Sequence, residues 1–169
     1  LIGRLVDRPL RPLFPEGFYN DTHVVITTLS YDGINLPETI AATGASLALS
    51  ISDIPFNGPV AGVIVGYVNG EYILNPSKEV LENCDIFLSI AGTKDAITMV
   101  EAGAKEVSEE VMLGAIIFGH DRIKEICAFQ EAFIELVGNK EKFAFEVKEP
   151  LAQVKEFVDA AEERIKEAV

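Results

Sequence analysis

The sequence predicts an α+β fold built on one core, and three observations carry that reading. Short β-branched runs bounded by turn residues occur at 22–30, 60–68, 71–74, 86–91 and 96–103. Between and after them lie segments with apolar residues at helical spacing, 1–14, 35–52, 108–137 and 151–169. The third observation is the stretch 53–67. There Pro55, Gly58 and Pro59 fix a sharp turn, and the strand behind it carries Gly62 and Gly66 where side chains normally pack. Just upstream, Ala41, Ala42, Gly44, Ala45, Ser46 and Ala48 would let a helix sit low on a sheet. The stretch therefore reads as a central strand against a tightly docked helix.

With 169 residues the chain is long enough for one good core and a second small element. Gly, Ser, Asn and Asp interrupt every apolar run before the roughly 18 to 20 residues needed to span a bilayer, so no membrane partner is expected. The chain opens on Leu1 and lacks the pattern of a secretion signal, which reads as an excised piece of a longer protein. Cys84 and Cys127 form no Cys-x-x-Cys pair, and a reducing, cytoplasmic compartment is the default expectation. A net charge of −13 opposes long-range capture of nucleic acid, so any such contact must be local or belong to a larger assembly.

Each element has its local reasons. In 1–14, Leu1, Leu5, Val6, Leu10 and Leu13 repeat at helical spacing, with Arg4, Asp7, Arg8 and Arg11 between them. Pro9 and Pro12 each remove a backbone donor, so the helix should kink or end there. The bland account of the arginines is a solvated edge; the functional one is a phosphate-facing surface. Residues 22–30 read as a strand closed by Asp32-Gly33, with His23 at its start in a structural role. Residues 35–52 open on a capping-box-like Asn35-x-x-Glu38 with Pro37 in the first turn. Asn69-Gly70 is a type I′ hairpin signal joining the central strand to 71–74. A polar, acidic stretch at 78–85 precedes strands 86–91 and 96–103, joined by the turn Gly92-Thr93-Lys94-Asp95. Ser108 is an N-cap, with Glu109 and Glu110 in the first turn of the longest helix. Met112, Ile116, Ile123, Ile126, Phe133 and Val137 form its expected stripe up to Gly138-Asn139, about 30 residues or roughly 45 Å. His120 within it reads as a packed or surface histidine. Residues 140–150 break the pattern and read as a linker. Val154, Phe157, Val158, Ala161 and Ile165 then resume helical spacing in a separate helical element.

The usual local signatures of chemistry are absent: no phosphate loop, nucleophile elbow, zinc motif or dinucleotide fingerprint. The one acidic constellation is Glu79, Glu82 and Asp85, whose carboxylates would suit a magnesium ion; a solvated acidic loop accounts for the same residues.

Several ordered motifs resemble one family. Leu5-Val6-Asp7-Arg8-Pro9-Leu10-Arg11-Pro12-Leu13-Phe14-Pro15-Glu16-Gly17-Phe18 is similar to the helix-closing motif of bacterial polyribonucleotide nucleotidyltransferases, the polynucleotide phosphorylases. Ser52-Asp53-Ile54-Pro55-Phe56-Asn57-Gly58-Pro59-Val60, Val65-Gly66-Tyr67, Leu74-Asn75-Pro76 and Ile90-Ala91-Gly92-Thr93 follow in the family's order. Glu110-Val111-Met112-Leu113-Gly114-Ala115-Ile116-Ile117-Phe118-Gly119-His120 continues it, so the resemblance spans nearly the whole chain.

The resemblance implies an RNase PH-like core of βαββ-type mixed sheets packed with helices, without its opening strands, followed by the first helix of an all-α domain. The implied division is 1–139 for the first core, 140–150 for a linker and 151–169 for the start of the helical domain. Family members carry two such cores and then KH and OB-fold modules. They form homotrimeric rings that degrade RNA from the 3′ end, using inorganic phosphate and Mg²⁺ to release nucleoside diphosphates, and they run in reverse as polymerases. RNA and phosphate are the implied partners, not DNA. Their active site is associated with the second core.

Two departures bear on this chain. Where the active core has a serine-rich phosphate turn, this one has Leu36-Pro37-Glu38, which would repel phosphate. Where the active core has paired aspartates, Glu79 and Asp85 stand without the neighbouring glycines, and Phe87 replaces an acidic residue. The expectation is no catalytic residue and no metal in this core, with Glu79 and Asp85 as vestiges and Mg²⁺ confined to the second core. Arg8 and Arg11 match the family's Asp-Arg-Pro-x-Arg-Pro pattern and imply an RNA or phosphate contact; a lock onto a carboxylate such as Asp7 explains them equally. Two other readings stand beside this one: a non-catalytic RNase PH-like assembly or RNA-binding subunit, and an unrelated acidic α+β enzyme acting on a small metabolite.

Overall fold

Asn69 and Gly70 both take positive φ, 51° and 85°, as a type I′ turn requires. This hairpin joins β1 (Ala61–Val68) to β2 (Glu71–Leu74) and so starts the sheet. A computed structural model describes residues 2–138, 140–147 and 151–168. In it β3 (Ile86–Gly92) and β4 (Ile97–Ala104) complete a four-stranded sheet of order β2-β1-β3-β4, antiparallel throughout. Val63 lies opposite Ile90, and Ile90 opposite Val100. Helices cover both faces, which gives the α+β class predicted.

One face of β1, through Ala61, Val63 and Val65, meets α4 (Glu109–Val137) together with Leu88 and Ile90 of β3. The other face meets α1 (Ile2–Leu10) and α2 (Pro37–Ile51), whose Val6, Leu10, Ala42, Ala45 and Leu49 form a second cluster around Val60. The small-residue helix packs on the central strand as expected, yet only Gly62 faces it. A Cβ on Gly62 would lie 3.6 Å from that of Ala42, whereas one on Gly66 would meet the Cys84 sulfur at 2.7 Å. The closer approach is made by α4. A Cβ on Gly119 would stand 2.8 Å from Ile90 Cγ2 and 3.1 Å from Val65 Cγ2. For the same reason the buried stripe of α4 runs through Ala115, Gly119, Ile123, Cys127 and Gln130, with Met112, Ile116 and Ile126 at its margins. Phe133 and Val137 of the expected stripe are exposed. Small residues let the helix axis approach the sheet, and the large apolar residues other than Ile123 are displaced to the sides.

The turn before β1 is pinned from both layers. The Ser46 hydroxyl of α2 accepts the Val60 amide at 2.9 Å, and the buried Gln130 Nε2 of α4 donates to the Val60 carbonyl at 3.0 Å. The Gly58-Pro59 peptide is cis.

Three local expectations are corrected. Residues 22–30 form no strand: Val25 and Leu29 are 71% and 94% exposed, and no ladder partner stands beside them among the described residues. β-branched residues favour a pleated surface only when neighbours supply the hydrogen bonds and the packing. The Asn35 capping box does not form. Leu36 is the N-cap without a side-chain bond, because the Asp32 carboxylate has already taken the Ile34 and Asn35 amides, both at 2.9 Å. The acidic stretch contains a single-turn helix, α3 (Lys78–Glu82), capped by Ser77. As the prolines predict, α1 ends at Leu10, one residue after Pro9, where the 3₁₀ turn Arg11–Leu13 takes over. The last helix, α5 (Ala152–Ala168), falls where helical spacing placed it. Residue 139 and residues 148–150 of the expected linker lie outside the described residues.

Candidate functional site

Helix α1 and the start of α2 border an open cleft of about 1170 Å³. Val6, Leu10 and Phe14 supply apolar wall, while Asp7, Arg11, Glu16, His23 and Glu38 supply charge or polarity. Acidic and basic groups are thus mixed along it.

Arg8, on α1, and Arg11, on the 3₁₀ turn after it, find different partners. Arg8 Nη1 donates to Glu101 of β4 at 2.8 Å, and Arg11 Nη2 donates to Asp7 one turn back at 2.7 Å. The hydrogen bond to Asp7 and its charge raise the Arg11 pKa, so the guanidinium is cationic at every relevant pH. Neither pair is buried: the arginine side chains are 48% and 77% exposed. Exposed pairs of this kind contribute little to stability, so either can open for a competing anion at small cost. The Asp7 pairing was legible as an i, i+4 contact. Glu101, 93 residues away, carried no sequence signal.

The start of α2 offers no anion cradle. Pro37 removes one of its free amides, and the Glu38 carboxylate occupies the first turn with Oε2 buried and unpartnered. A second anion there would meet a negative charge.

Glu79 lies in the first turn of α3, and Asp85 stands three residues beyond its end. The Asp85 backbone is fixed by its amide to the Tyr67 carbonyl at 2.7 Å and by the Lys105 amide to its own carbonyl at 2.9 Å. Among the described residues no three His, Cys, Asp or Glu side chains converge on a common point, so Glu79, Glu82 and Asp85 do not meet as a ligand set. His120 packs as expected, its Nε2 donating to the Thr93 carbonyl at 3.1 Å; Lys94 of the same turn pairs with Glu131 at 2.7 Å. His23 lines the cleft.

No helix among the described residues is long and apolar enough to cross a membrane. The sequence pattern of the 3′ exoribonuclease family, domain 1, matches residues 1–55, and that of the 3′ exoribonuclease family, domain 2, matches residues 58–122. The division between them falls in the turn that opens β1. Among curated proteins the chain is 60% identical over 147 residues to the polyribonucleotide nucleotidyltransferase of Exiguobacterium sibiricum, covering 87% of this chain and 20% of the relative. It is 54% identical over 170 residues to that of Shouchella clausii and 53% identical over 170 to that of Geobacillus kaustophilus. Both alignments cover 100% of this chain, and 24% and 23% of those relatives. The chain thus spans about a fifth to a quarter of the length of the curated relatives it matches. Matches to both domain patterns of this family, together with these identities, lead to one assignment: the chain belongs to the 3′ exoribonuclease (RNase PH-like) family and resembles its polyribonucleotide nucleotidyltransferase members.

Proposed function

We propose that this chain is the first RNase PH-like core, with the start of the helical domain, of a cytoplasmic, phosphate-dependent 3′-to-5′ exoribonuclease that degrades messenger RNA to nucleoside diphosphates. This core is non-catalytic and serves homotrimer assembly and the RNA channel. The observation that carries the non-catalytic role is the opening of α2. With Pro37 and the Glu38 carboxylate at the helix start, its Oε2 buried and unpartnered, inorganic phosphate has no cradle beside the central strand. Magnesium-dependent steps belong to a second core, since Glu79, Glu82 and Asp85 do not gather around a shared point. The membrane and DNA have no part in this function.

Arg8 and Arg11 are the RNA-facing or phosphate-facing groups of this core. Their exposure and the low cost of opening their ion pairs support that role. Two measurements test the proposal. Incubated with poly(A), inorganic phosphate and Mg²⁺, the chain releases no nucleoside diphosphate; measurable release overturns the non-catalytic role. In fluorescence anisotropy, poly(A) binds weakly, and log K falls with log salt at a slope of about −1.4 for two phosphate contacts on a single strand. Replacing both arginines by alanine removes that binding. An unchanged affinity removes the arginines from the RNA path.

A further inference from the structure

Residues 141–147, expected as a bare linker, lie against the core and make specific contacts with it. Lys142 Nζ donates to the carbonyls of Leu49, Ser50 and Ser52 at 3.4, 2.8 and 2.7 Å. These are the last carbonyls of α2 and its C-cap, and α2 has no basic residue of its own in its last turn. A lysine more than ninety positions away in sequence therefore supplies the cation that this helix end favours. Next to it, the Phe143 amide donates to the Asp53 carbonyl at 2.7 Å. The Phe145 ring meets Phe18 edge-on at 5.3 Å, and Val147 covers Gly17, where a Cβ would stand 2.8 Å from Val147 Cγ1.

From that socket a continuous path leads to the arginine helix. Phe18 stacks on Phe14 at 6.0 Å, and Phe14 meets Phe56 edge-on at 5.5 Å. The Asn57 amide donates to the Leu13 carbonyl at 2.7 Å, and the Phe14 amide to that of Arg11 at 3.4 Å. The Pro15-Glu16-Gly17-Phe18 motif thus has work beyond ending α1.

We propose that residues 141–147 are a docked strap that braces residues 11–18, so that whether the strap is seated on the core sets the rigidity of the arginine-bearing end of α1. Gly17, at φ 83°, leaves room for Val147, and the end of α2 receives Lys142. The coupling is mechanical and does not depend on RNA being the ligand of the arginines.

Hydrogen exchange on the whole chain, read at single amides, tests the proposal. In the unmodified chain the Phe143 amide is protected. Lys142→Met and Phe145→Ala each speed exchange at Phe143, Phe18 and Asn57 by about tenfold or more, while β1 and β3 amides keep their rates. Lys142→Arg, which keeps the cation, leaves all of them near the unmodified values. An unprotected Phe143 in the unmodified chain overturns the proposal, as does a variant that frees Phe143 without affecting Phe18 and Asn57. Should the sheet amides also quicken in the variants, the unmodified chain in low urea decides. A shared urea dependence of Phe143, Phe18 and Asn57, distinct from that of the sheet, supports the strap, and separate dependences overturn it.

Discussion

Gly119 and Gly62 show how two glycines in one core differ in what they permit. A methyl on Gly119 would enter between Ile90 Cγ2 at 2.8 Å and Val65 Cγ2 at 3.1 Å, both on fully buried side chains with no room to move. Gly119→Ala should therefore cost about 1 to 3 kcal/mol, as overpacking of a closed core does. A methyl on Gly62 meets Ala42 and Ala91 at 3.6 Å, ordinary contact distance. Gly62→Ala should change stability by no more than about 0.5 kcal/mol, because a favourable loss of unfolded-chain freedom offsets slight crowding. Urea midpoints of the two variants check the contrast; equal midpoints would mean that α4 does not make the tight contact. Cys127 gives a second prediction at this scale. Burial first, and Glu131 second, push its thiol from 9.0 up to about 11. The neutral thiol is favoured in the folded chain, so its contribution to stability is complete below about pH 9 and is lost as pH rises through about 11. Cys127→Val should lose less stability than the unmodified chain between pH 8 and pH 10.5 in paired urea titrations. Cys84 shifts in the same direction for the same main reason, burial, so part of the alkaline loss persists in the variant.

At the scale of elements, those whose causes are local were legible and those whose causes are remote were not. Ser108 was named as the cap of α4, and its hydroxyl accepts the Val111 amide at 3.4 Å, while Gly138 ends the helix at φ 85°. Ser108→Ala should cost about 1 kcal/mol and lower the thermal midpoint, whereas Ser108→Asp should keep most of the stability. The Asn69-Gly70 hairpin was legible for the same reason: two positive-φ residues carry the whole instruction. Residues 22–30 had the composition of a strand but not the neighbour that a ladder needs, and composition does not report neighbours. The expected α4 stripe holds through Ile123, with Met112, Ile116 and Ile126 packed beside it, but Phe133 and Val137 are exposed and small residues fill much of the buried face. Ala115 and Gly119 occupy that face, and their value lies in the space that they leave. In the candidate site, the Asp7–Arg11 pair follows from helical spacing. The Arg8–Glu101 pair and the Lys142 cap depend on the folded chain bringing distant segments together. That α2 opens on Pro37 and Glu38 was legible because both lie within one helical turn.

Over the whole molecule, two forces oppose one another at the surface. A net charge of −13 makes copies repel, and the two arginines of the proposed RNA surface are each balanced by a carboxylate. Against this, large apolar side chains stand in water at several places: Leu29, Ile40 and Leu136 are 94%, 72% and 84% exposed, and Phe129 of α4 is 63% exposed. Phe129, Phe133 and Leu136 follow one another at i, i+4 and i+7, so they share one outward stripe of α4 instead of being scattered. The balance between repulsion and apolar contact depends on salt. Repulsion between exposed like charges fades once the screening length shortens to about 10 Å at 0.1 M and about 3 Å at 1 M, while apolar association does not weaken. Sedimentation of the chain at increasing NaCl should therefore show growing association, the reverse of what ion-pair-driven assembly would give. Phe129→Glu with Leu136→Glu should suppress it, because the pair removes apolar area and adds charge on the same stripe. Association that falls with salt, or that survives both substitutions unchanged, would place the contact surface elsewhere on the molecule.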